Sequence, residues 1–152
     1  ELYFDIRDRL ETGLSLEPAT QEGIKSWREK HGKIISGFGH RFHKPIDPRA
    51  PRLMELVRKS AKQGVVSGVF AEIGEAVQAA IGKQRGEPIA MNIDGATAVI
   101  FCELGFAPAL SRGLFCLSRS VGILAHGWEQ IQQGGRNKGP IPPNYLPKYE
   151  DG

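Results

Sequence analysis

Cysteine is scarce in this chain: Cys102 and Cys116 are the only two in 152 residues. They form no CxxC pair and lie at no metal-ligand spacing from a histidine, which argues against a zinc site or a disulfide framework. Both fall in apolar helical stretches and read as buried free thiols that act as small hydrophobes. Long apolar runs are missing as well. No stretch approaches the ~18 residues needed to cross a bilayer, and no signal-peptide pattern opens the sequence, so no membrane role is expected and the cytoplasm is the expected compartment. An excess of one charge sign is also lacking. Twenty Lys and Arg against 17 Asp and Glu give a formal charge of +3, too small and too scattered to argue for nucleic acid. No segment of useful length alternates with strand period, and no repeat or low-complexity run occurs. What remains is an all-α chain.

The 40% hydrophobic and 24% charged fractions are those of a globular domain with a sizeable core. Leu2, Tyr3, Ile6 and Leu10 share a helical face from the first residues. No capping residue precedes them, so the chain is expected to be part of a longer protein. Thr12-Gly13-Leu14-Ser15 breaks this pattern. A second helix is expected from about Pro18 to Lys30, with Ile24 and Trp27 inward and Gly32 as its stop. A third runs from Pro48 to about Gln63 with Leu53, Leu56 and Val57 on its apolar face, and a fourth from about Val69 to Lys83 with Phe70, Ile73, Val77 and Ile81. After Gly86-Glu87-Pro88 a short apolar approach tips into a fifth helix, about Asp94 to Leu104, apolar enough to be expected buried on every side. Pro108 begins the longest helix, to about Gln133. Pro140, Pro142, Pro143 and Pro147 exclude helix beyond Gly134-Gly135 and predict an extended tail.

The densest chemistry lies between Gly37 and Arg49. Gly37 and Gly39 flank a turn that permits positive φ and close approach of a ligand. His40 can exchange a proton near neutral pH, and Arg49, at the mouth of the third helix, offers a planar fork for a carboxylate. Asp94 opens the fifth helix and has two readings, a helix N-cap or a catalytic carboxylate whose apolar surroundings raise its pKa. Arg119 interrupts an apolar stretch. Its partner is either Glu103 or Glu75, as a structural ion pair, or a ligand carboxylate. His126, Trp128 and Glu129 read as helix surface, and His31 and His43 carry no independent signal.

Taken together, Gly37-Phe38-Gly39-His40-Arg41, Asp47-Pro48-Arg49-Ala50, Asn92-Ile93-Asp94-Gly95 and Ser118-Arg119-Ser120-Val121-Gly122-Ile123-Leu124-Ala125-His126 resemble the citrate synthase superfamily, which includes citryl-CoA lyase and the C-terminal part of ATP-citrate lyase. The pieces occur in the family's order across about residues 34–130.

The resemblance implies an all-α, citrate synthase-like helical fold. Residues 1–107 would form the small, lid-like domain, truncated at its N-terminus, and residues 108–152 the long helix and Pro-rich tail of the large domain. It implies a homodimer acting on acyl-CoA and oxaloacetate or citrate, with a coenzyme A thioester as substrate, no tightly bound cofactor and no metal. Catalysis would fall to His40, at the ketone oxygen of oxaloacetate, and Asp94, at the acetyl methyl carbon. Arg49 and Arg119 would hold the carboxylates, and Ile35, Ser36, Gly37, Phe38 and Gly39 would lie along coenzyme A. The family's other catalytic histidine, in a His-Gly-Gly-Ala type stretch, is not in this sequence, so the chain alone is expected to be inactive or nearly so. The tail reads Lys138-Gly139-Pro140 where citrate synthases usually carry an arginine, with Arg136 nearby. That favours cleavage of citryl-CoA to acetyl-CoA and oxaloacetate. The alternatives are condensation of acetyl-CoA with oxaloacetate and a non-catalytic CoA-binding module.

Overall fold

A computed structural model describes residues 1–134 apart from Phe42, Lys44 and Pro45. Its elements are α1 (Leu2–Glu11), α2 (Leu16–His31), α3 (Arg49–Lys62), α4 (Val69–Arg85), α5 (Ile93–Glu103) and α6 (Pro108–Gln132). No strand occurs among the described residues. The one β-like feature is an isolated antiparallel bridge between Phe38 and Met91, and no described helix is long and apolar enough to cross a membrane. The chain divides into two compact units at Leu114/Phe115, inside α6. The Pro-rich tail and Arg136 lie outside the described residues.

In the first unit α4 is the central element, packed by α1, α2, α3 and α5. The reason lies in its sequence: Phe70, Ile73, Val77 and Ile81 recur at helical spacing, and all four are buried. Ile6 and Ile24 join them from α1 and α2, and Val99 from α5. Each such side chain, fully buried, contributes about 1.5–3 kcal/mol. Pro18 sits in the first turn of α2, where its missing N–H costs nothing.

Two expectations about faces need correction. Leu56 is 45% exposed, and the inward face of α3 is Ala50, Met54 and Val57. These residues keep the i, i+4, i+7 stripe, which Leu56 leaves. On α5, burial is confined to Gly95, Ala96, Val99 and Cys102, while Ala98, Ile100 and Phe101 are only half-buried. The helix packs on α3 and α4, with a lesser contact to α1, and is not buried on every side.

None of the residues of α6 is buried. Leu110, Leu117, Val121, Leu124, Trp128 and Ile131 are exposed, and with half-buried Leu114 they alternate at spacings of three and four, a period-3.5 stripe. Arg112, Arg119 and His126 recur every seventh residue along the opposite side of the helix. Cys116 is exposed on this element, so the expectation of two buried thiols holds for Cys102 alone.

Candidate functional site

The site is assembled from two chain segments laced together by backbone. Gly37 and Gly39 take φ of +95° and +85°, as the turn requires. Gly37 lies directly on the start of α5: a Cβ built on it would stand 2.9 Å from the Gly95 Cα. The Gly37 carbonyl accepts from the Asn92 N–H at 3.0 Å, and the Gly39 N–H donates to the Ala90 carbonyl at 2.6 Å. The Asn92 side chain closes the junction, donating from Nδ2 to the Gly39 carbonyl at 2.7 Å. Its Oδ1 accepts from the backbone N–H groups of Asp94 and Gly95 at 2.9 and 3.2 Å. The N-cap of α5 is therefore Asn92, and the capping role expected as one reading of Asp94 is overturned. With Ile93 as the first helical residue, Asn92 rather than Asp94 stands where a side-chain oxygen reaches the free N–H groups.

His40 follows this junction. Its Nδ1 accepts from the His43 backbone N–H at 3.0 Å, and the two imidazole rings lie 4.5 Å apart. A neutral ring that accepts at Nδ1 carries its proton on Nε2. Nε2 stands 3.4 Å from Nη2 of Arg49, so two donors turn toward one region. His43, without a signal in the sequence, thus sets the His40 tautomer through its main chain.

Arg49 opens α3 and is held by Asp47, whose side chain is fully buried (0% exposed). Asp47 Oδ1 accepts from Arg49 Nε at 2.9 Å and from its backbone N–H at 3.1 Å, and Oδ2 accepts from Nη2 at 2.8 Å. Oδ2 also accepts from the Ile93 N–H at 3.1 Å, which ties α3 to the start of α5. These hydrogen bonds, those of the Arg49 side chain foremost, hold the Asp47 carboxyl well below the usual carboxylate range against the opposing effect of burial. The Arg49 pKa is raised chiefly by its bonds to Asp47, with the charge of Asp94 a lesser contribution.

Asp94 is exposed at the first turn of α5. The apolar surroundings expected for it are not supplied by the described residues, because the inward positions there belong to Gly95 and Ala96. An open groove of about 480 Å³ runs from His40 along His43 and Arg41 to Arg85, Glu87, Pro88 and Ile89, its two arginines outnumbering its one carboxylate. Of the loop read as the coenzyme A segment, Ile35 and Gly37 are buried, Ser36 is exposed, and Phe38 and Gly39 are half-buried, Gly39 alone of the five lining this groove.

Arg119 belongs to the second unit, exposed, with its guanidinium 5.1 Å from the Phe115 ring centre. The two carboxylates expected as its structural partners belong to the first unit. Glu103 accepts from the Phe70, Ala71 and Gly68 N–H groups and the Ser67 hydroxyl at the start of α4, and Glu75 pairs with Arg58. His126 meets Glu129 at 3.3 Å on the helix surface, as expected.

The roles of Asp47, Asn92 and Glu103 seen here escaped the sequence reading. Asp before Pro at a helix start, and Asn two residues before Asp94, are capping signals in the sequence; their longer-range bonds have no local mark.

The domain thus gathers an imidazole, a guanidinium backed by a buried carboxylate and an exposed aspartate around one glycine turn. The family model described as citrate synthase, C-terminal domain, matches residues 9–141, and the chain belongs to that family. It is 30% identical over 118 residues to the citrate synthase of Saccharolobus solfataricus, covering 77% of this chain and 31% of that protein. It is 34% identical over 99 residues to the citrate synthase of Acidithiobacillus ferridurans, covering 64% and 26%. The structure of citryl-CoA lyase from Hydrogenobacter thermophilus superimposes with a TM-score of 0.66 at 28% identity, over 99% of this chain and 56% of that one. The chain thus spans about a quarter to a third of the length of these two citrate synthases.

Proposed function

We propose that this chain carries part of the site of a carbon–carbon lyase that cleaves citryl-CoA to acetyl-CoA and oxaloacetate. The observation that carries the reading is the meeting of His40 Nε2 and Arg49 Nη2 at 3.4 Å, on a loop bonded to the cap that begins the Asp94 helix. In the cleavage the tertiary alcohol of the citryl group loses its proton, the C–C bond breaks toward the thioester, and the resulting enolate is protonated at carbon. His40 takes the alcohol proton at Nε2, which requires the tautomer other than the one its His43 bond favours, and the neutral Asp94 carboxyl delivers a proton to the methyl carbon, both groups being reset by exchange with solvent. Each positioned proton transfer supplies about 10²–10⁴-fold, so the two act together. Arg49 grips a carboxylate of the oxaloacetate part, fixing direction as well as charge. Arg119 is assigned another carboxylate on the strength of its motif. The cationic groove past Arg41 and Arg85 suits the phosphates of coenzyme A.

By microscopic reversibility the same groups serve condensation, and the Nε2–H tautomer of His40, a donor to a ketone oxygen, favours that second reading. Citryl-CoA supplied to the longest expressed form of the protein tests the proposal, with acetyl-CoA and oxaloacetate followed as products. Release of both is expected. Folded protein that binds oxaloacetate yet turns over in neither direction is a binding module, and failure to bind either compound removes the reading altogether.

A further inference from the structure

We propose that Asp47 is the positioning residue of this site, and the inference rests on Arg49 being the carboxylate ligand. Asp47 accepts four hydrogen bonds, from Arg49 Nε, Arg49 Nη2, the Arg49 backbone N–H and the Ile93 N–H. An ionised carboxylate has about four acceptor positions, so Asp47 has no capacity left for a ligand. It acts through Arg49.

The geometry of the guanidinium says how. A guanidinium has two edges able to take a carboxylate in parallel bonds. Asp47 occupies the edge made by Nε and Nη2. That leaves the second Nη2 proton, which faces His40 Nε2, and the Nη1 pair, and no hydrogen bond from Nη1 occurs among the described residues. The remaining Nη1–Nη2 edge lies on the His40 side, since Nη2 is the atom 3.4 Å from Nε2. Arg49 is 46% exposed while Asp47 behind it is wholly buried, which is the arrangement of a fork clamped at its base.

Two consequences follow. The pair carries no net charge, so a ligand carboxylate is held by directed N–H bonds more than by bulk attraction. Asp47 also accepts from the N–H of Ile93, the residue before Asp94, so the carboxylate clamp and the proton-moving carboxyl share one buried anchor. Asp47→Asn keeps the size but puts an N–H₂ where one acceptor stood, releasing one edge of Arg49.

The test is calorimetric titration of oxaloacetate into wild type, Asp47→Asn, Arg49→Ala and the double variant, with arginine Nε–H exchange followed by NMR. Asp47→Asn is expected to weaken oxaloacetate binding about tenfold to a hundredfold, the scale of bonds to a charged group, and to weaken it no further once Arg49 is alanine. The Arg49 Nε–H is expected to exchange slowly in wild type and fast in Asp47→Asn. A purely structural role would lower affinity equally in both Arg49 backgrounds, and that result overturns the inference, as does unchanged affinity. Should wild type not bind oxaloacetate, the functional reading fails, and the exchange of Nε–H still decides the clamp. Should Asp47→Asn not fold, Asp47→Ser replaces it. Wild-type Nε–H of Arg49 exchanging as fast as that of exposed Arg52 overturns the clamp in any case.

Discussion

Gly95→Ala is a small substitution that should separate the two segments of the site. The added Cβ would fall inside contact distance of the Gly37 carbonyl oxygen and 2.8 Å from the Met91 Cγ. Met91 can swing aside, but the Gly37 carbonyl cannot, because it accepts the Asn92 N–H at 3.0 Å. Relief therefore requires the glycine turn to lift from α5, which loosens that bond, the Gly39–Ala90 bond and the Asn92 Nδ2 bond to Gly39. At about 0.5–1.5 kcal/mol each, three lost bonds come to roughly 1.5–4.5 kcal/mol. Helix propensity returns about 1 kcal/mol, which leaves a net loss of roughly 0.5–3.5 kcal/mol, centred on the ~1–3 kcal/mol usual for overpacking, and ~1–3 kcal/mol is the loss expected. For a chain of this size that lowers Tm by roughly 2–12 °C. Urea and thermal unfolding measure it, and oxaloacetate titration should show an affinity loss, since His40 rides on the displaced turn. Gly122→Ala is the control: nothing lies within 4 Å of its Cβ position in α6, and stability should stay level or rise. A Gly95→Ala protein within about 0.5 kcal/mol of wild type, with unchanged oxaloacetate affinity, would refute the argument that this contact fixes the site.

Three further outcomes are expected. Glu103→Ala should cost about 1–3 kcal/mol, because four donors at the start of α4 lose their acceptor, while Glu103→Gln should recover part of it; equal stability of all three proteins in urea would dismiss the cap. The folded-state pKa of Asp47 is depressed, so its stabilisation is present above the unfolded value of about 3.9 and is lost as pH falls through the lower folded value. The stability gap between wild type and Asp47→Asn should accordingly be full at neutral pH and close only under strong acid; a gap already closed at pH 6 contradicts the clamp. Native protein should expose one thiol to a disulfide reagent and urea-unfolded protein two, because Cys116 is exposed whereas burial pushes the Cys102 thiol up to about 11; rapid modification of both in the native state would show the core around α5 to be open.

The helices were legible because α4 and α1 obey a single period and are bounded by glycine, with Phe70, Ile73, Val77 and Ile81 all buried as their spacing implied. Leu56 was misplaced because two overlapping stripes fit α3 about equally well, and the choice between them is made by what α3 packs against. Cys116 failed for a related reason, since an apolar sequence records a tendency to be covered and says nothing of the cover. The site divides in the same way. His40 and Arg49 could be read from a glycine turn and a helix mouth, both local features. Asp47 entered only as part of the Asp47-Pro48-Arg49-Ala50 piece, and the long-range bond to Ile93 shows that it reaches the start of α5.

That division has a physical root. A capping residue satisfies donors within a few positions, so the sequence carries its mark. A buried carboxylate must find every acceptor bond or pay for its desolvation, and folding meets that demand with whichever N–H groups converge. For Asp47 those are the side chain and backbone N–H of one residue two positions ahead and one backbone N–H forty-six residues away. The need to satisfy one charge thus brings the helix start of Arg49 against the helix start of Asp94. The site's geometry is then a consequence of burying Asp47, which makes the least conspicuous residue of Asp47-Pro48-Arg49 the one on which the placement of the others depends.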